Sequence, residues 1–336
     1  LVKEHIVKKR IPLAIIGCGG FVRCHVEAIK KDVPEFELVA MADTCRANAD
    51  KLAELSGQSP VIYDDHKKML RAVKPKAVIV STPHTLHFAH CHDALAAGAH
   101  VMVEKPMVTN SADARKLVRF AKSRKLNLQI AIQGTYTDTF AYARKLISDG
   151  TMGPLQLATG ILGQGWMNGT RGMWRQEPKL SGGGQLYDST AHVLSAMMFL
   201  VNSPAVEVFC WTDNKGCNVD INAVGTIRFA NGCMATITSG GNCPTWFSHL
   251  IIQGAGAILE ISPHGGSFRV NGSALKQEIK AVPARWRIRS VSPARNFADV
   301  ILGKDKPRCT GELGIRLADL MDAFYRSAQC GKPASI

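Results

Sequence analysis

The first 130 residues alternate short apolar runs with amphipathic stretches of helical period. IPLAIIG (11–17), FELVAMAD (36–43), KAVIVSTP (76–83) and AHVMVEKP (99–106) are mostly apolar and are closed by glycine, an acid or proline. Between them CHVEAIKK (24–31), RANADKLAELSG (46–57) and HFAHCHDALAAG (87–98) space their apolar residues as helices do, the last two stopped by Gly57 and Gly98. Strands apolar on both faces and joined through helices predict a parallel sheet covered on both sides, with right-handed crossovers. Beyond about residue 130 the pattern changes. AYARKLISDG (141–150) predicts a helix, while GTIRFANGCMATIT (225–238) and SFRVNGSALKQEI (267–279) each set Asn-Gly between alternating segments, a hairpin signal. An antiparallel sheet follows, one face of which must be covered by something. The glycine-rich SGGGQLYD (181–188) leads into a predicted helix, STAHVLSAMMFL, which puts Asp188 and His192 at i and i+4 on one face. The fold expected is α/β: a Rossmann-type, doubly wound parallel sheet first, then an α+β domain with a mostly antiparallel sheet.

The first unit carries the chemistry that makes this a nucleotide site. Gly17 and Gly19 stand directly after a strand and before a helix, where glycine lets the backbone approach a pyrophosphate and the helix N-terminus meets its charge. Gly20, Phe21 and Val22 complete the loop, and Val22 occupies the third fingerprint position where glycine or alanine is usual. Asp43 closes the next strand, placed to bind the adenosine ribose hydroxyls and to repel a 2′-phosphate. NAD is therefore favoured, with Arg46 nearby leaving NADP open.

PHTLHFAHCH (83–92) raises a metal question, because His84, His87 and Cys91 fall at i, i+3 and i+7. The preceding strand answers it. Ser81, Thr82, Pro83 and His84 lie in the loop at its carboxyl end, the edge where such sheets bind ligands, so His84 and His87 face a cofactor rather than a metal. His90 and His92 are expected on other, solvated sides of the helix.

A chain of 336 residues suits about two domains, and no apolar run is long enough to span a membrane. The ten cysteines show no C-x-x-C pair, which fits reduced thiols in a cytoplasmic protein. LVKEHIVKKR at the start has no apolar core and cleavage site of a secretory signal, and a segment before Leu1 is left open. The net charge of +14 invites nucleic acid as a partner. Its densest run, Arg115 to Lys125, is interleaved with Leu117, Val118 and Phe120, so a solvated helix face explains it and no nucleic acid is expected. GWMNGTRGMWRQEP (165–178) offers Trp166, Arg171, Trp174 and Arg175, types that suit the apolar faces and hydroxyl edges of a carbohydrate; packing against a neighbouring subunit is the alternative.

GAHVMVEKPM (98–107) resembles the E-K-P segment of the glucose-fructose oxidoreductase, inositol dehydrogenase and rhizopine-catabolism (Gfo/Idh/MocA) family. IIGCGGFVRCHVEAI resembles its nucleotide loop, with a histidine at His25, and STPHTLHFAHCHDALAAG its next segment. GGGQLYDSTAHVLSAM resembles its D-x-x-x-H element, and TGELGIRLADLMDAFYRSAQCGKP its last helix. The resemblance implies a dinucleotide-binding domain over 1–129, a substrate and oligomerisation domain with an open sheet over 130–310, and a helix over 311–336 returning to the first domain. It implies a homodimer or homotetramer formed through that sheet, and Glu104 and Lys105 beside the cofactor. Lys105, Asp188 and His192 supply the base and the donor that metal-free hydride transfer requires: His192 takes the hydroxyl proton, Lys105 hydrogen-bonds the reacting oxygen, and Asp188 orients substrate or the lysine. QGTYTDTF (133–140) departs from the arginine-rich stretch of many members, leaving Tyr136 as the substrate candidate there. The expected activity is NAD(P)-dependent oxidation or reduction of a sugar, polyol or sugar derivative. Glycoside cleavage through transient C3 oxidation is the alternative, and a non-catalytic sensor a third.

Overall fold

The structure, a computed structural model, describes residues 10–288 and 292–336. Its first half runs β1 (Ile11–Ile16), α1 (Arg23–Asp32), β2 (Phe36–Ala42), α2 (Arg46–Ser56), β3 (Val61–Tyr63), α3 (His66–Val73), β4 (Ala77–Val80), α4 (His87–Ala96), β5 (His100–Glu104), α5 (Ser111–Ser123) and β6 (Leu128–Ala131). The six strands form one parallel sheet in the order β3-β2-β1-β4-β5-β6. That order reverses between β1 and β4, and the crevice at the carboxyl ends of these two strands is where such sheets bind nucleotides. The near-continuous apolar strands are explained by two-sided burial. In β1 alternate side chains enter separate clusters, Leu13 and Ile15 packing under α1 and α2, Ala14 and Ile16 on the opposite face with α4 and α5. Helix starts are set locally, Asp65 accepting Lys68 N at 2.7 Å for α3 and Asn110 accepting Asp113 N at 2.8 Å for α5.

The second half comprises α6 (Asp138–Ser148), β7 (Leu155–Gly163), α7 (Trp166–Gly169), α8 (Pro178–Ser181), α9 (Thr190–Val201), β8 (Ala205–Asp213), β9 (Asn222–Phe229), β10 (Met234–Gly240), β11 (Phe247–Gly254), β12 (Ile258–Ile261), β13 (Phe268–Asn271), α10 (Pro293–Ile301), α11 (Gly311–Cys330) and β14 (Ala334–Ser335). Eight strands form an open sheet, β13-β12-β11-β7-β10-β9-β8-β14, antiparallel except where β10 pairs with β7. The Asn231-Gly232 signal makes the β9–β10 hairpin, with Arg228 opposite Met234. After Asn271-Gly272 only a bridge between Val270 and Ile279 forms, because Ala274 is drawn aside to hydrogen-bond Gly256 O.

One face of this sheet packs on α9 and α11. The other carries Leu157, Val224, Met234, Ile251 and Ile258 in the open, alternating with buried neighbours along each strand.

Two boundaries differ from the sequence reading. β6 straddles the cut between 129 and 130. The return to the first domain begins with α10, ahead of residue 311, because Ala294, Phe297 and Ala298 complete the core under β1 and β2. α11 packs on α5 of the first half and also on β8 of the second. Helix α9 also starts later than expected, at Thr190, leaving Asp188 in the preceding turn, where its N–H bonds Gly184 O at 2.9 Å.

Candidate active site

A cleft of ≈ 520 Å³ runs along the carboxyl ends of the parallel strands, from Asp43, Asn48 and His66 at one end to Glu104, Lys105 and Asp188 at the other. The glycines of its floor have different tasks. Gly17 adopts φ +89°, and a Cβ there would lie 2.5 Å from Ser81 O, so the close approach of β1 and β4 requires glycine. At Gly19 and Gly20 a Cβ would meet nothing within 4 Å, which leaves the backbone bare towards the cleft. Asp43 is held at the lip by two backbone donors, Cys18 N at 2.6 Å and Cys45 N at 2.7 Å. A bare glycine turn, the uncapped start of α1 and a fixed carboxylate after β2 fit a dinucleotide: pyrophosphate over Gly19 and Gly20, ribose hydroxyls at Asp43.

At the other end Asp188 is the hub. Lys105 Nζ donates to its Oδ1 and to its backbone oxygen, both at 2.7 Å. Trp166 Nε1 donates to Oδ2 at 2.9 Å and Arg175 Nε at 3.0 Å, while His84 Nε2 stands 3.6 Å from Oδ1. Burial opposes the charge on Asp188, but the fixed positive charges, Lys105 foremost and Arg175 with it, outweigh it and hold the carboxyl far below the usual range. Asp188 is thus held as an anion that positions Lys105. His192, one turn into α9, is kept neutral: burial, then Lys105 and then His264 push its pKa well below the ordinary value. A neutral imidazole within electrostatic reach of a fixed ammonium supplies the acceptor and donor types that alcohol oxidation needs. Beneath Lys105 the buried His25 and Glu104 are hydrogen-bonded to each other, and Glu104 Oε2 accepts Lys105 N at 3.2 Å.

Gly17, Gly19, Gly20, Phe21, Asp43, Ser81, Thr82, Pro83, His84, His87, Glu104 and Lys105 all line the cleft. Six expected residues are not among its lining: Val22, Arg46, Tyr136, Arg171, Trp166 and His192, the last half-buried on α9 with its ring against that of His264. Val22 is fully buried among Leu13, Ile15 and Val26, which explains why a β-branched residue is accepted at that position. Arg46 turns outward to Asp50 at 2.8 Å. Tyr136 is fully buried, its hydroxyl donating to Ile130 O at 3.0 Å, and it is a core residue. Arg171 is exposed and bonds Asn168. Trp166 is buried, and its indole orients Asp188 rather than offering a platform. His87 is closed off from solvent between the carbonyls of Thr82 and Pro106, bracing the two loops that meet at the cleft.

Some lining residues escaped the sequence reading. His90, expected on a solvated side, lines the cleft, with Nδ1 2.9 Å from Thr82 Oγ1 and its ring 4.4 Å from that of His66. His66 and Asn48 come from α3 and α2; neither sits in a motif. Among the described residues no group of three or more His, Cys, Asp or Glu side chains is arranged to hold a metal ion, and no helix is long and apolar enough to cross a membrane.

Comparison with known proteins accords with this geometry. Residues 11–132 match the model of an oxidoreductase family with an NAD-binding Rossmann fold, and residues 140–264 match the Gfo/Idh/MocA C-terminal domain. D-Glucoside 3-dehydrogenase of Escherichia coli K12 is 30% identical over 259 residues, 68% of this chain and 70% of that enzyme. The chain belongs to the Gfo/Idh/MocA oxidoreductase family. Within it, an inositol 2-dehydrogenase of Rubrobacter xylanophilus is 24% identical over 339 residues, covering 98% of this chain and 94% of that one. The structure of levoglucosan dehydrogenase with NADH and levoglucosan superposes with a TM-score of 0.86 at 19% identity, covering 97% and 99% of the two chains, which shows a shared fold. The Gfo/Idh/MocA two-domain plan accounts for the cleft's location, its floor in the first domain and Asp188 in the second.

Proposed function

We propose that the protein is an NAD-dependent dehydrogenase that oxidises a secondary ring hydroxyl of a carbohydrate or cyclic polyol. The observation that carries the reading is the Lys105 ammonium, fixed by two 2.7 Å bonds to Asp188 at the end of a dinucleotide-shaped cleft, with neutral His192 nearby. Bound nicotinamide supplies the acceptor for the hydride leaving the carbinol carbon. Lys105 donates to the reacting oxygen and stabilises its developing charge, while His192 takes the hydroxyl proton. Because desolvation and the Lys105 charge disfavour the imidazolium so formed, it releases that proton readily. Arg175, partly exposed and lying 4.5 Å over the Trp174 ring, and Trp174 itself form the cleft wall next to Asp188, offering a donor and an apolar face for a sugar.

Asp43 and the outward turn of Arg46 support NAD over NADP, since a 2′-phosphate would meet a carboxylate and no arginine. The name of the glucoside 3-dehydrogenase relative supports a sugar ring as substrate. The apolar outer face of the second sheet supports pairing with a second copy there, which Val224→Lys with Met234→Lys would reduce to monomers by light scattering. The test of function is NADH formation at 340 nm with pyranoses, glycosides and inositols. Lys105→Met should abolish turnover while NADH still binds; undiminished turnover would sink the assignment, and release of an aglycone without net NADH would indicate glycoside cleavage instead.

A further inference from the structure

Against the His192 ring stands a pair of side chains that the dehydrogenase reading does not use. His264 lies in the loop after β12, its ring centroid 5.0 Å from that of His192 and at a steep angle to it. Nδ1 of His264 is 3.0 Å from the hydroxyl of buried Ser248, which fixes the ring and leaves Nε2 free to bond a ligand. Gly265 and Gly266 follow in the left-handed region at φ +89° and +94°, and a Cβ on either would meet nothing within 4 Å, so the turn after His264 is uncrowded. Trp246 meets His264 edge to face at 5.4 Å and is 53% exposed.

An exposed indole at the end of a strand can be idle, but this one is mounted on the catalytic scaffold. The loop that carries it is tied to the segment holding Trp166 by Met167 N to Gly241 O at 2.8 Å and by Cys243 N to Gln164 O at 3.2 Å. Trp166 in turn holds Asp188. The ring-to-ring spacings of 5.0 and 5.4 Å keep the indole within ~10 Å of His192. A group bonded to the reacting sugar, on the side away from the cofactor, would reach it.

We propose that Trp246 and His264 form a subsite for the second ring of a glycoside, so that the substrate class is a disaccharide or aryl glycoside rather than a free monosaccharide. The indole offers a flat apolar face for a sugar or aryl ring to stack on, and His264 Nε2 bonds a hydroxyl or the bridging oxygen. This rests on the dehydrogenase reading above for the position of the reacting ring. Neither residue touches the reacting atoms, so both act on specificity.

The experiment compares phenyl β-glucoside, cellobiose and glucose as ligands of the protein with NADH by calorimetry, and as substrates with NAD, for the parent protein and for Trp246→Ala. The parent should favour the two-ring compounds by about tenfold or more, and Trp246→Ala should remove about tenfold of that preference while changing glucose by less than about twofold. His264→Ala should lower the preference in the same direction, and His264→Gln should restore part of it. Sugar binding with a ratio that Trp246→Ala leaves unchanged overturns the subsite and keeps the dehydrogenase reading. Loss of glucose and glycoside binding in equal measure also overturns it, as does a change in oligomeric mass with no change in the ratio. Binding of the two-ring compounds without any NAD reduction would refute the dehydrogenase reading and support the subsite.

Discussion

Replacing Asp188 with asparagine separates its positioning role from its charge. The carboxylate accepts from Lys105 at 2.7 Å, from Trp166 at 2.9 Å and from Arg175 at 3.0 Å, and both it and Lys105 are buried. An amide of the same shape can still accept from Trp166 but leaves the Lys105 ammonium uncompensated. Removing one partner of a buried pair costs ~3–5 kcal/mol. At about 2.1 cal/mol/K of unfolding entropy per residue, a chain of 336 residues would then melt roughly 4–7 °C lower. Adding Lys105→Met removes the orphaned charge, so the double variant should recover at least ~2 kcal/mol relative to Asp188→Asn alone, although it has one more substitution. Denaturant unfolding of the four proteins measures this, with NADH titration as a check that the cleft still forms. The single variant should lose roughly 100-fold or more in kcat/KM for sugar oxidation, because the ammonium is no longer aimed. Linkage fixes the pH range. The folded carboxyl is depressed, so its stabilisation is complete above the unfolded value of 3.8 and is lost as pH falls below it. Asp188→Asn should therefore flatten the acid limb of the stability curve below about pH 4. Parent-like stability of Asp188→Asn, or a double variant weaker than it, would refute the hub.

Gly17→Ala and Gly19→Ala should fail differently. The first meets Ser81 O at 2.5 Å and should lower stability by ~2 kcal/mol or more, whereas the second meets nothing within 4 Å and should fold normally yet bind NADH about tenfold or more weakly, by thermal melts and fluorescence titration. Asp43→Ser should raise the KM for NAD about tenfold and admit NADP, while Arg46→Ala should leave the NAD to NADP ratio within about twofold. Burial drives His84 down to about 3, which leaves it neutral in the folded protein, and the same cause comes first in lowering His87 and His192. The unfolded chain binds the His84 proton below about pH 6.5, so stability should fall with acid by up to ~1.4 kcal/mol per pH unit from this residue, with His87 and His192 acting in the same direction. A stability curve flat between pH 6.5 and 5 would contradict their burial.

Local pattern determined four of the six strands of the first sheet, β1, β2, β4 and β5, because their apolar runs are long and mostly buried on both faces; the short edge strands β3 and β6 carry no such run and were not foreseen. The pyrophosphate loop and Asp43 were legible for the same reason, being short-range features of a strand and the turn after it. Lys105, Asp188 and His192 could be named from motifs, yet their meeting is tertiary: Lys105 and Asp188 come from different domains, and only the folded chain shows that the acid is a locked anion. Period and spacing also misplaced residues whose direction depends on distant packing. Tyr136 and Val22 went into the core and Arg46 to solvent, while His66 and His90 turned into the cleft. Trp246 and His264 lie outside every motif, in two separate loops after β10 and β12, and it is sheet pairing that sets them side by side. A sequence records which side chains a strand or helix presents at each step. It does not record which distant element stands opposite, and burial, pKa and partnership depend on that neighbour.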